Sequence, residues 1–206
     1  MNEEIKNRFE GLESIIHGLH HNNGLMQFMS FGLHKEPFNL QSNLGLYWIW
    51  GNIMGIQILD FYKTIGKHEK FSFVKLINVA KENKIKVDYE LIEKMTNQLI
   101  VSYEETEFET VRSKYLAHQD LKVPEIKTNL LSIDKFTQEI DNLFSTYSKE
   151  FKYDRNEISK NVVESFGEIF NTIDEYERLK GYLIAAQIKG EETVNISNLK
   201  DIVNEK

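Results

Sequence analysis

Cysteine is absent from this 206-residue chain, which removes disulfide scaffolds, zinc ribbons, thiol catalysis and iron–sulfur clusters together. Proline occurs only twice, at Pro37 and Pro124, where helical patterns break. The turn clusters and period-two alternation that strands need are nearly missing, so the chain reads as all-α. It also lacks a long apolar run. The longest uncharged stretch, Pro37 to Leu59, is diluted by Asn39, Gln41, Asn43, Asn52 and Gln57, which predicts a buried helix rather than a membrane span. The opening residues MNEEIKNRFE are acidic and contain no apolar h-region, so no secretory signal and a cytoplasmic location are expected. Positive charge is not in excess either: 25 Lys and Arg stand against 32 Asp and Glu, a formal net charge of −7. That excludes a uniformly basic nucleic-acid coat but leaves room for a local basic face. No Gly-rich phosphate loop, nucleophile elbow, paired carboxylate set or helical Glu-x-x-His is present, so ATPase, hydrolase and di-iron readings have no positive support.

What is present is enough to build a core, with 41% hydrophobic and 12% aromatic residues. The pattern predicts one helical domain over residues 1–206, its core about 1–185 and a C-terminal extension about 190–206. A first helix is expected from Asn2 to His20, with Ile5, Phe9, Leu12, Ile16 and Leu19 as its apolar stripe and Asn22-Asn23-Gly24 as its stop. A second, from Leu40 to Gly66, is expected to bury Leu44, Tyr47, Trp48, Gly51, Met54, Ile58, Phe61 and Ile65, with Trp50 turned toward a partner surface. Ser72 is expected to cap a helix to Asn83, with a staple between Phe71 and Leu76. Asp88 is expected to cap a long helix reaching Asp120, ended by Pro124. Ser132 is a candidate cap for a helix ending near Tyr153, and a further helix is expected over Asn156 to Lys189.

The stretch that carries chemistry is Arg112-Ser113-Lys114-Tyr115-Leu116-Ala117-His118-Gln119-Asp120. RNA cleavage by internal attack needs a base for the 2′-hydroxyl, an acid for the leaving 5′-oxygen and positive charge at the phosphorane. His118 titrates near neutral pH and suits acid or base work. Arg112 offers a permanently charged planar fork to phosphate oxygens. Asp120 is placed to orient the imidazole, Lys114 to hold a neighbouring phosphate. Six residues along an α-helix span about 9 Å and about 240°, so Arg112 and His118 do not share a face of a regular helix. Either the helix loosens around Leu116–Gln119, or the groove forms between two protomers.

An Arg, a Lys two positions later and then Ala-His-x-Asp at the end of a long helix resembles the signature of the HEPN superfamily, most nearly its abortive-infection (AbiU-type) branch. The likeness is specific over about nine residues. It implies a small dimeric helical bundle with peripheral helices and a metal-independent endoribonuclease using Arg112 and His118, without a cofactor. It also implies the company of toxins and antiviral effectors, hence RNA and a cognate antitoxin or defence partner. It favours the groove between protomers. Ser113 departs from the pattern: the family commonly places Asn, Asp or His after the Arg, and Ser keeps a hydroxyl without their reach.

Two alternatives stand beside this. Arg112 pairs with Glu109 and Glu105 as a purely structural cation while His118 only ends a helix, or the same bundle is a non-catalytic dimer that binds a partner protein or RNA. Charge points both ways along the chain. Between Asp88 and Asp120, eight acids face three bases, hostile to phosphates, whereas between Lys63 and Lys86 seven lysines face two acids. Lys63, Lys67, Lys70 and Lys75 are therefore the expected phosphate track. Glu13, His17, His20 and His21 have helical spacing suited to a metal but no matching ligands elsewhere, and are expected to form a surface or interface cluster. His34 and His68 are expected in exposed loops.

Overall fold

The computed structural model describes residues 2–31, 44–116 and 129–157. Every regular element among them is helical: α1 (Glu3–Phe31), α2 (Leu44–Ile65), α3 (Phe73–Glu82), α4 (Tyr89–Glu104), α5 (Phe108–Thr110), which runs into a π-helical turn (Val111–Leu116), and α6 (Leu130–Phe151). The fold is all-α. No helix among the described residues is long and apolar enough to cross a membrane.

α1 runs about three turns further than its sequence suggests. Asn22-Asn23-Gly24 does not stop it, because Met26 and Met29 are buried beyond the expected break. The Asn23 amide donates to Asp134 of α6 at 2.6 Å, and that of Gln27 to the same carboxylate at 3.0 Å. Packing and cross-helix hydrogen bonds outweigh the weak local preference of Asn and Gly for a turn. In α2 the buried stripe is displaced. Trp50, Met54, Ile58, Phe61 and Ile65 face the core, whereas Trp48 is 69% exposed and Tyr47 51%. The expected roles of the two tryptophans are therefore exchanged: α2 is apolar nearly all round, so its hydrophobic pattern alone does not fix which side packs.

Capping chemistry explains the shorter helices. Ser72 accepts from the Lys75 amide at 3.2 Å and Asp88 from the Leu91 amide at 3.0 Å, each satisfying one first-turn donor. For α6 the cap is Asn129, not Ser132: its Oδ1 accepts from the Ser132 amide at 2.9 Å, and Leu131 is exposed. Lys152 closes α6 in the left-handed conformation, with φ 54°. The long helix expected from Asp88 stops instead at Glu104. The Thr106 hydroxyl takes the Tyr103 carbonyl at 2.6 Å, and Glu104, Glu105 and Glu107 crowd the negative end of the helix. The chain then drops Phe108 into the core.

Two aromatic clusters organise that core. Phe61, Phe108 and Phe136 meet with ring centroids 4.8–5.6 Å apart, with Tyr103 beside them. Phe9 gathers Phe144, Phe151 and Tyr153, the last stacked at 4.5 Å. Residues 152–157 leave α6 without starting the helix expected at Asn156; the rest of that helix and the C-terminal extension lie outside the described residues.

This exit segment is held by buried polar groups. Glu13 accepts from the Tyr153 hydroxyl at 2.8 Å and from the Asn156 amide and side chain at 2.8 and 2.6 Å. His20 lies 3.1 Å from Asp141, which Arg155 also grips. Glu13 and His20 are thus spent on holding the chain rather than forming a metal site. Among the described residues no three His, Asp or Glu side chains group as metal ligands. Burial alone would raise the Asp141 carboxyl, but hydrogen bonds from His20 and Arg155, with their charge, bring it down from 3.8 to about 2. A depressed folded-state value contributes stability above the unfolded pKa and loses it as pH falls toward the folded one. The Asp141 contribution, at most about 2 kcal/mol, should therefore be complete above about pH 4 and vanish toward pH 2. Urea denaturation of wild type and Asp141→Asn across that range checks this: the gap between the two should close on acidification.

Candidate functional site

Of the motif side chains, Arg112 and Ser113 fall among the described residues, and the π-helical turn presents Arg112. The helix widens into a π turn over Val111–Leu116; of the stretch Leu116–Gln119 where loosening is expected, residues 117–119 lie outside the described residues. A π turn widens the helix and is common at functional sites. Its root is fixed on both sides: Val111 and Phe108 are buried, and the Ser113 hydroxyl donates to the Glu109 carbonyl at 2.8 Å. Ser113 thus stabilises the turn instead of reaching outward.

The guanidinium of Arg112 is held between Glu109 and the Tyr62 ring. Its Nε donates to Glu109 Oε2 at 3.0 Å and its Nη2 to Glu109 Oε1 at 2.6 Å, a two-point fork. It lies 4.0 Å from the centroid of the Tyr62 ring. Tyr103 reaches Glu109 Oε2 with a long 3.4 Å contact from below. The hydrogen bond from Arg112 holds the Glu109 carboxyl below its usual range against an opposing effect of burial, and the same bond raises Arg112. Burial, reinforced by the charge of Glu109, pushes the Tyr103 phenol well up, so it remains a neutral donor. Of the five N–H groups of a guanidinium, Glu109 takes two and leaves three. The Arg112 side chain keeps 27% exposure.

Glu105, the other expected partner of Arg112, is instead the C-cap of α4 and shares a face of that helix with Glu90, Glu93 and Lys94. Lys114 belongs to the π turn by its backbone; its side chain, His118 and Asp120 lie outside the described residues, as does His34.

Tyr62 and Glu109 are shared with a neighbouring cavity of about 340 Å³ between the end of α2 and α4. Its floor is Ile65 and Ile100, its walls include Tyr62 and Tyr103, and its rim carries Lys67, His68 and Glu104. The expected lysine track does not assemble as one row there. Lys67 lines the cavity, but Lys63 pairs with Asp60 at 2.6 Å. Lys70 lies over the Phe71 ring, its carbonyl taken by Arg8 of α1, and Lys75 sits in the first turn of α3. Tyr62, Tyr103, His68 and Glu104 are not readable as site residues from the sequence; they gather beside the π turn only through packing of α2 on α4, which leaves no local signal.

No protein-family model, no curated protein and no solved structure matches the chain.

Proposed function

We propose that the protein is a metal-independent endoribonuclease of a phage-defence or toxin–antitoxin type, working as a homodimer in the cytoplasm and related to HEPN abortive-infection proteins. The observation that most supports this reading is the setting of Arg112. A permanently charged fork, oriented by Glu109 and Tyr62, stands partly exposed on a widened helical turn, beside an open cavity that shares Tyr62 and Glu109 with it. In the proposed reaction the ribose 2′-oxygen attacks the adjacent phosphorus and its proton passes to a base. The 5′-oxygen leaves with a proton from an acid, yielding a 2′,3′-cyclic phosphate. His118 supplies acid or base, its counterpart in the second protomer the complementary role, and Arg112 takes the charge that develops on the equatorial oxygens. Lys114 and Asp120 support phosphate and imidazole.

The expected result is that purified protein cuts single-stranded RNA in the presence of EDTA and leaves DNA of the same sequence whole, because only RNA carries the attacking hydroxyl. His118→Ala should abolish cleavage with an unchanged helical circular dichroism spectrum. Retained cutting in that variant refutes the assignment.

One observation favours a second reading. Glu109 already occupies an edge of Arg112, and acids dominate α4 and the turn after it. A non-catalytic dimer that binds a partner protein or RNA has use for a cation fixed in this way. Stoichiometric binding without turnover, indifferent to His118→Ala, identifies that case.

A further inference from the structure

Several charged side chains near the core are committed to partners, as Lys63 is to Asp60, Lys81 to Glu93, Arg155 to Asp141 and Arg112 to Glu109. At the rim of the cavity beside Arg112, uncommitted charges share one opening. Lys67, His68 and Glu104 are exposed there, and none has a hydrogen-bond or ion-pair partner among the described residues. Two potential cationic donors and one carboxylate thus converge, unspent, over an apolar floor of Ile65 and Ile100 with Tyr62 as a wall. A volume of about 340 Å³ lies at the lower end of small-molecule sites and admits one planar bicyclic ring but not a folded peptide.

A ligand matching this set is flat and apolar on its faces, with two adjacent donors for the carboxylate and an acceptor for the lysine or histidine. Guanine meets all of these. Its N1–H and exocyclic amine present side-by-side donors to a carboxylate's two oxygens, and its O6 accepts from a cation. Uracil and cytosine lack the paired donors, and adenine shows an acceptor at N1 where guanine shows a donor. Single-stranded RNA exposes these Watson–Crick edges for such reading.

We propose that this cavity is a base-specificity subsite for guanine in RNA, with Glu104 reading the Watson–Crick edge and Lys67 or His68 the O6. This rests on the proposed nuclease reading for its orientation: the phosphate attached to the bound nucleoside lies at Arg112, across the shared Tyr62 wall. Glu104 acts as a specificity determinant and takes no part in bond breaking.

The test titrates the full-length protein with the four nucleoside 3′-monophosphates by isothermal calorimetry and, separately, scores cleavage of single-stranded RNAs differing at one position. Guanosine 3′-monophosphate should bind about tenfold to a hundredfold more tightly than the other three, the discrimination of one good bidentate contact. Glu104→Gln, at an exposed and unpaired position, should keep the fold and erase the preference. Ile100→Trp, filling the floor, should weaken all four. Equal affinities, no binding at all, or a preference that survives Glu104→Gln overturns the subsite. The two readings fail separately. RNA cutting with no preference for guanosine discards the subsite and keeps the nuclease, whereas Glu104-dependent binding of the guanosine nucleotide by a protein that cuts no RNA keeps the subsite and discards the nuclease.

Discussion

Arg112→Lys is expected to cut RNA at less than about one hundredth of the wild-type rate, nearly as poorly as Arg112→Ala, although it keeps the charge. The cause is geometric. Glu109 grips Arg112 through two parallel bonds from Nε and Nη2, a grip that does not use Nη1 at the far end of the same rigid plane. A lysine ammonium has three donors on a flexible stem and cannot hold a carboxylate by two parallel bonds while presenting a fixed pair to a phosphate. Loss of one pre-organised donor to developing negative charge costs about 10²- to 10³-fold, and an arginine serving phosphoryl chemistry can be worth more. Stability should hardly move. The Glu109 side chain is 47% exposed and the pair is an i, i+3 surface bridge worth at most about 1 kcal/mol. Initial rates on a fluorogenic single-stranded RNA in EDTA, set beside urea denaturation curves, check both halves. A lysine variant with near wild-type turnover means that only the charge matters and that the Glu109 fork has no positioning role.

The same site marks the limit of what the sequence discloses. The apolar stripe of α1 and the caps Ser72 and Asp88 are legible because they depend on neighbours within four residues. The Glu109 partner of Arg112 is legible for the same reason. Misreadings arise where distant contacts decide. Asn23 reads as a turn residue until Asp134, over a hundred positions away, accepts its amide. The exchange of Trp48 and Trp50 follows from a helix whose apolar surface goes nearly all the way round, so that only the position of α1 and the π turn selects the buried side. The break at Glu104 carries a local signal in retrospect, three acids and a threonine at a helix C-terminus. Apolar periodicity continuing through Phe108 and Val111 hides it. Tyr62 and Glu104 come to Arg112's neighbourhood only by tertiary packing.

Phe108→Ala should cost about 3–5 kcal/mol, a large share of the 5–15 kcal/mol that holds a domain together. Phe108 is fully buried, with ring centroids 5.1 Å from Phe61, 5.6 Å from Phe136 and 6.0 Å from Tyr103. Truncation removes those contacts and opens a cavity among residues from α2, α4 and α6 that cannot all close on it. The position matters beyond its volume. α5 has only three residues and no side-chain cap, so Phe108 is what ties it to the core. The π turn that follows inherits its place from that anchor, and Arg112 from the turn. Phe108→Leu, which keeps most of the apolar bulk, should lose no more than about 1.5 kcal/mol and leave the site in register. Urea denaturation followed by far-ultraviolet circular dichroism measures the two costs. Activity of the alanine variant, assayed at low temperature where it remains folded, should still fall, because the guanidinium is no longer held against Tyr62. A folded alanine variant with full activity separates the aromatic anchor from the site, and a cost below about 1 kcal/mol shows that α5 is held by something other than Phe108.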